Sequence, residues 1–262
     1  MIAEALAWLA TPCPLYVRRL GLLSESIAIS ARHRRCRAAW APHLEESRAA
    51  VRNAIARTPR RRTALVMGSG ALLDVPLDEL AAAFRRVLLV DLVHPWRARL
   101  QARRFSNVIR ITADIGGILQ GVSRGKLVRP RPFPALADPE VDLAISLNVL
   151  SQLPVAPVRH LDGKVEDEAL TQAAQDLVRQ HLDDLDRSRA TTLLISDVER
   201  ILLARDGREI ERTSLIADLP EPASDHHWWW NIAPAPEVDE ETSERRRVVA
   251  RLVRGAFGPE SL

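Results

Sequence analysis

The chain has 262 residues, 47% hydrophobic and 27% charged, with a formal net charge of only +3. That length suits one large α/β core, is short for two independent domains, and contains no run of about 18 apolar residues for a membrane span. Two cysteines, Cys13 and Cys36, form neither a disulfide framework nor a zinc spacing, so a cytoplasmic location and no metal are expected. The apolar start, Met1 to Ala10, carries Glu4 and no basic flank, and reads as a packed amphipathic helix rather than a signal peptide. Nearly all basic side chains are arginine. The runs Arg32-His33-Arg34-Arg35-Cys36-Arg37 and Arg60-Arg61-Arg62 read as solvated helix faces and a loop before a strand, not as a nucleic-acid surface.

Residues 1–58 show helical patterning and no strand, and are expected to form a helical cap or lid on a domain spanning 59–262. Ser24 or Ser26 is placed to cap a helix reaching Trp40, and Pro42 to break or restart it. From Arg62 the rhythm becomes short apolar runs separated by helices, the mark of βαβ units and a parallel sheet. Strands are expected at Thr63 to Met67, Val87 to Val90, Val108 to Ile111, Asp142 to Leu147 and Thr191 to Ile195, the last closed by Asp197. Helices are expected from Pro76 to Phe84, Pro95 to Arg104 and roughly Glu166 to Leu185, with Asp74 as a cap for the first. The four prolines between Arg129 and Pro139 mark a surface loop. Glu209 to Ile216 and Trp228 to Ile232 read as strands, and Arg247 to Val253 as a strand or a helix. The resulting fold class is α/β: a Rossmann-like, mostly parallel seven-stranded sheet flanked by helices, with an N-terminal helical cap.

Ligands of open α/β sheets sit outside the C-terminal ends of the strands. Here those ends read Gly68-Ser69-Gly70, Asp91, Asp114, Asn148 and Asp197. Glycines in a strand-to-helix turn let backbone approach a ligand. A carboxylate ending the next strand, 21 positions after Gly70, suits ribose hydroxyls.

The run from Leu65 to Asp91, with Ala113-Asp114-Ile115 and Asp142 to Asn148, resembles the class I S-adenosylmethionine-dependent methyltransferases. The resemblance implies S-adenosylmethionine as cofactor. It makes Gly68, Ser69 and Gly70 the loop around the methionine part, Asp91 with Leu92 the ribose site, Asp114 and Ile115 the adenine pocket, and Asn148 the fourth-strand motif. Val66 stands where the family usually has an acid, and Leu72 where it often has a third glycine. A dinucleotide fingerprint would instead need a glycine at Leu73.

Methyl transfer by direct displacement needs alignment more than acid–base groups, so the catalytic residue is left open, with His160 and His226 as candidates. Gln152, His160 and Trp228 are the substrate candidates, and Arg32 or His33 of the cap is placed to touch substrate. In the run His226-His227-Trp228-Trp229-Trp230 a strand would put His226, Trp228 and Trp230 on one face. They then form either an aromatic wall at the substrate or the seam between sheet and cap. His94 is either near the cofactor or simply at a helix start. Asn148-Val149-Leu150-Ser151 lacks the motif of base-methylating enzymes, which favours a small-molecule acceptor. The alternatives are an NAD(P)-binding oxidoreductase, a non-catalytic methyltransferase-like partner protein, and an RNA methyltransferase using the Arg34, Arg35 and Arg37 cluster.

Overall fold

A computed structural model describes residues 2–255. Its first part is helical: α1 (Ile2–Ala10), α2 (Leu15–Arg19), α3 (Leu22–Arg35) and α4 (Arg37–Arg57). Gly21, in the left-handed region at φ 77°, precedes α3, and Ser24 and Ser26 lie within the helix rather than capping it. The break falls at Cys36, and Pro42 lies inside α4, contrary to the expected interruption. An interior proline costs about 3 kcal/mol. Each large side chain buried from α4 contributes about 1.5–3 kcal/mol, and Trp40, Leu44 and Val51 are all buried on one face. Packing therefore carries the helix through the proline.

The sheet has eight strands, not the seven expected: β1 (Thr63–Met67), β2 (Arg86–Asp91), β3 (Val108–Thr112), β4 (Val141–Leu147), β5 (Thr191–Ala204), β6 (Glu209–Ser214), β7 (His226–Ala233) and β8 (Thr242–Val253). They run in the order β3-β2-β1-β4-β5-β8-β7. The first five are parallel, and β8 and β7 are antiparallel additions. This is a Rossmann-like sheet, with its switch point between β1 and β4. Asp197 does not close β5. The register shifts between Asp197 and Glu199, and β8 pairs along both halves of the longer strand. Strand β6, expected at Glu209 to Ile216, takes up the edge of β5 that β4 leaves free. Cross-strand pairs Arg200–Glu211 (3.3 Å) and Arg212–Glu199 (2.8 Å) accompany it.

Between the strands lie α5 (Leu77–Ala83), α6 (Trp96–Ala102), α7 (Leu119–Val122), α8 (Val155–Leu161) and α9 (Asp167–Arg187). Alternate strand residues feed two cores. Ala64 and Val66 pack with α4, α5 and α6, whereas Leu65 and Met67 pack with α9. Of the four starting helices α4 shares the sheet's core, while Val17 of α2 and Leu23 of α3 pack on Val93 beyond β2. Among the described residues no helix is long and apolar enough to cross a membrane.

Candidate cofactor and substrate pocket

β1 ends in a turn whose shape requires glycine. Gly68 has φ 79°, and a Cβ there would lie 2.2 Å from the Leu147 carbonyl oxygen of β4. Its own N–H and that of Ser69 donate to the Val90 carbonyl, at 2.9 and 3.2 Å. Gly70 N–H then donates to Asp91 Oδ2 at 2.8 Å, so the turn and the end of β2 are tied together. Leu72, in the place of a third glycine, keeps left-handed backbone at φ 59° with its side chain buried. Val66 is fully buried in the core, and so cannot present a group to the turn.

These ends open on a cavity of about 380 Å³, within the range of small-molecule sites. Its floor is Gly68 to Gly70, Asp91 with Leu92, Asp114 with Ile115, and Asn148. Asp91 accepts a second bond from Val93 N–H at 3.1 Å. Asp114 accepts from Gly116 N–H (3.2 Å) and Leu119 N–H (2.7 Å), which fixes the loop ahead of α7. Burial raises the pKa of both carboxyls, opposed by those backbone donors. Both stay partly exposed, towards the cavity.

Asp74 does not cap α5; no side chain does. It turns into the cavity and accepts a 3.0 Å bond from Asn148 Nδ2. Asn148 itself has left-handed backbone at φ 52°. Burial pushes the Asp74 carboxyl up to about 6.

The N-terminal helices roof this floor. Ile29 and Arg32 of α3 and Trp40 and His43 of α4 line the cavity, facing Trp230 of β7. His43 stacks on Trp230 at 4.1 Å and 8° between planes. Trp228 Nε1–H, which can only donate, is 3.0 Å from His43 Nδ1, so the His43 proton sits on Nε2. Burial lowers the His43 pKa to about 3, and the ring is neutral at ordinary pH. At the far end Arg246 of β8 reaches Asp197 (2.5 Å) and Glu244 (2.9 Å), and the Ser151 hydroxyl also donates to Asp197.

All eight residues expected at the cofactor, from Gly68 to Asn148, line this one cavity, as does the substrate candidate Gln152. Other candidates are elsewhere. His160 sits on α8, its carbonyl accepting from Lys164, and is not a lining residue. His226 is exposed and 3.0 Å from Glu46. Trp228 is buried against His43, outside the cavity lining, and Trp230 is the lining tryptophan of that strand. His94 is buried with Nε2 at 3.1 Å from the Ile111 carbonyl. Arg32 lines the cavity, while His33 tilts against Trp40. Sequence reasoning missed Trp40, His43, Asp74 as a lining group, and Arg246. The three-residue spacing of Trp40 and His43 on one helix face was the single local signal.

No family model matches the chain, and no curated protein matches it in sequence. Among solved structures it is similar to the N-methyltransferase NodS from Bradyrhizobium japonicum WM9 in complex with S-adenosyl-L-homocysteine. That likeness has 13% identity, covers 78% of this chain and 86% of that one, and has a TM-score of 0.34. It is similar also to the Burkholderia thailandensis 1,6-didemethyltoxoflavin-N1-methyltransferase with bound 1,6-didemethyltoxoflavin and S-adenosylhomocysteine (16% identity, 86% and 89% covered, TM-score 0.33). A third is the DhpI-SAM-HEP complex (13% identity, 86% and 96% covered, TM-score 0.37). NodS and the toxoflavin enzyme are N-methyltransferases by name, and the likeness to each is one of fold alone.

Proposed function

We propose that the protein is an S-adenosylmethionine-dependent methyltransferase acting on a small-molecule acceptor. The observation that carries this reading is the single cavity at the β1–β4 switch point, into which Gly68 to Gly70, Asp91, Asp114 and Asn148 all open. The residues fit the cofactor's chemistry. Asp91 keeps acceptor capacity for two ribose hydroxyls beyond its bonds to Gly70 and Val93. Asp114 beside the apolar Ile115 and Leu119 suits an adenine ring and its amino group. When bound, S-adenosylmethionine supplies a methyl group on a sulfonium, ready for direct displacement. The chain's own part is to hold that group still, align the acceptor between Asn148 and the Trp40–His43–Trp230 wall, and keep water out with α3 and α4.

A dinucleotide is disfavoured by the same turn. α5 begins only at Leu77, seven positions beyond Gly70, so no helix N-terminus is offered at the glycines for a pyrophosphate. A lapsed site is disfavoured by Leu72, whose left-handed backbone preserves the turn without filling the cavity floor. Calorimetry with S-adenosylmethionine, S-adenosylhomocysteine and NADH tests the reading. Micromolar binding of both sulfur nucleotides, lost in Asp91→Ala, is expected. Binding of NADH in their place would move the protein to the oxidoreductases.

A further inference from the structure

Five carboxylates line the cavity, and four of them are answered. Glu25 pairs with Arg159, and Asp197 pairs with Arg246 and accepts from Ser151. Asp91 and Asp114 each accept two backbone N–H groups. Asp74 is the exception. Besides its own backbone N–H, its one partner among the described residues is the neutral amide of Asn148; it closes no loop and no cation pairs with it. Arg48 acts on it only at a distance, because its guanidinium donates to the Leu73 carbonyl instead. A carboxylate taken from water without a counter-ion is costly, by several kcal/mol in effective terms. A group kept in that state and facing a ligand cavity is one whose partner arrives with the ligand.

We propose that Asp74, held in place by the Asn148 amide, is the counter-ion for a protonated amine bound in this cavity. A divalent metal is the poorer match, since no group of three His, Cys, Asp or Glu side chains is assembled among the described residues. A neutral hydroxyl would leave the charge unanswered. The inference rests on the methyltransferase reading for its candidate amines. They are the amino group of the cofactor's amino-acid part or an amine on the methyl acceptor, and both would lie at the β1–β4 end of the pocket.

The test compares wild type with Asp74→Asn by calorimetry at pH 7.5, after melting curves show both folded, with Asp74→Ser as the second variant. S-adenosylhomocysteine is set against its des-amino analogue, and benzylamine against benzyl alcohol, the latter pair with and without saturating S-adenosylhomocysteine. 5′-Methylthioadenosine, which has no amino-acid part, serves as control. In wild type the amine is expected to bind about tenfold or more tightly than its uncharged counterpart in one pair, with most of that preference lost in Asp74→Asn. Preference in the nucleoside pair assigns the amine to the cofactor, and preference in the benzyl pair assigns it to the acceptor. Equal affinities in both wild-type pairs, or a preference that survives in both variants, would overturn the proposal. If 5′-methylthioadenosine and S-adenosylhomocysteine both fail to bind, the cofactor reading falls, and the benzyl pair alone still decides on Asp74.

Discussion

On the β2–β3 side of the pocket the carboxylates of Asp91 and Asp114 are satisfied by the backbone turns that follow them. On the β1–β4 side Asp74 has only its own N–H and the Asn148 amide, and on the β5–β8 side Asp197 is held by a full ion pair with Arg246. The first arrangement is rigid before any ligand arrives, because each carboxylate also closes a loop. The second is incomplete until something enters. The difference separates groups that shape the pocket from a group that waits for a charge, and it can be broken at four places.

Gly68→Ala attacks the junction of both sides. A Cβ 2.2 Å from the Leu147 carbonyl, on backbone at φ 79°, has nowhere to move. A loss of more than about 4 kcal/mol in urea unfolding, or no soluble protein, is expected. Arg246→Met strips the buried Asp197 of its cation and should cost about 3–5 kcal/mol, most of it recovered on adding Asp197→Asn. Asp91→Ala spares the core but removes the proposed ribose acceptor and the bond to Gly70, and S-adenosylhomocysteine affinity should fall about 10- to 100-fold.

Asp74→Asn gives the smallest change and the one with opposite sign. A carboxyl raised from 3.8 to about 6 in the folded state binds its proton more tightly folded than unfolded. Wild-type stability therefore falls as pH rises from about 4 to 6 and stays reduced above that. The asparagine variant, which has nothing to titrate there, should be about 1–3 kcal/mol more stable than wild type at pH 7, with the gain gone by pH 4. Denaturation curves across that range check it. A variant less stable at every pH would show that Asp74 is answered after all.

Much of this was legible before the structure. Apolar runs ending in Gly68, Asp91, Asp114 and Asn148 mark where parallel strands stop, because buried strands need apolar residues and their ends need polar ones. The proposed cofactor side is local in sequence, each residue sitting within a few positions of its strand end. The proposed acceptor side is not. Trp40, His43, Trp230 and Arg246 come from α4, β7 and β8, and only the packing of the cap on the sheet brings them to one cavity. Pro42 misled because a proline is read by its local cost, whereas Trp40, Leu44 and Val51 offset it through tertiary burial. The segment left open between strand and helix was β8, whose first half, Thr242 to Arg247, is charged and carries no apolar alternation. Its long pairing with β5 seats it, whereas β6 was legible at Glu209 to Ile216.

Hydrogen exchange with and without S-adenosylhomocysteine would test the pocket as the cofactor site most directly. The account predicts slowed amide exchange over residues 68–74, 91–93 and 114–119 and at Asn148, with additional protection in α3 and α4 above them. Tight binding without protection at those amides, or protection confined to another part of the sheet, would contradict it.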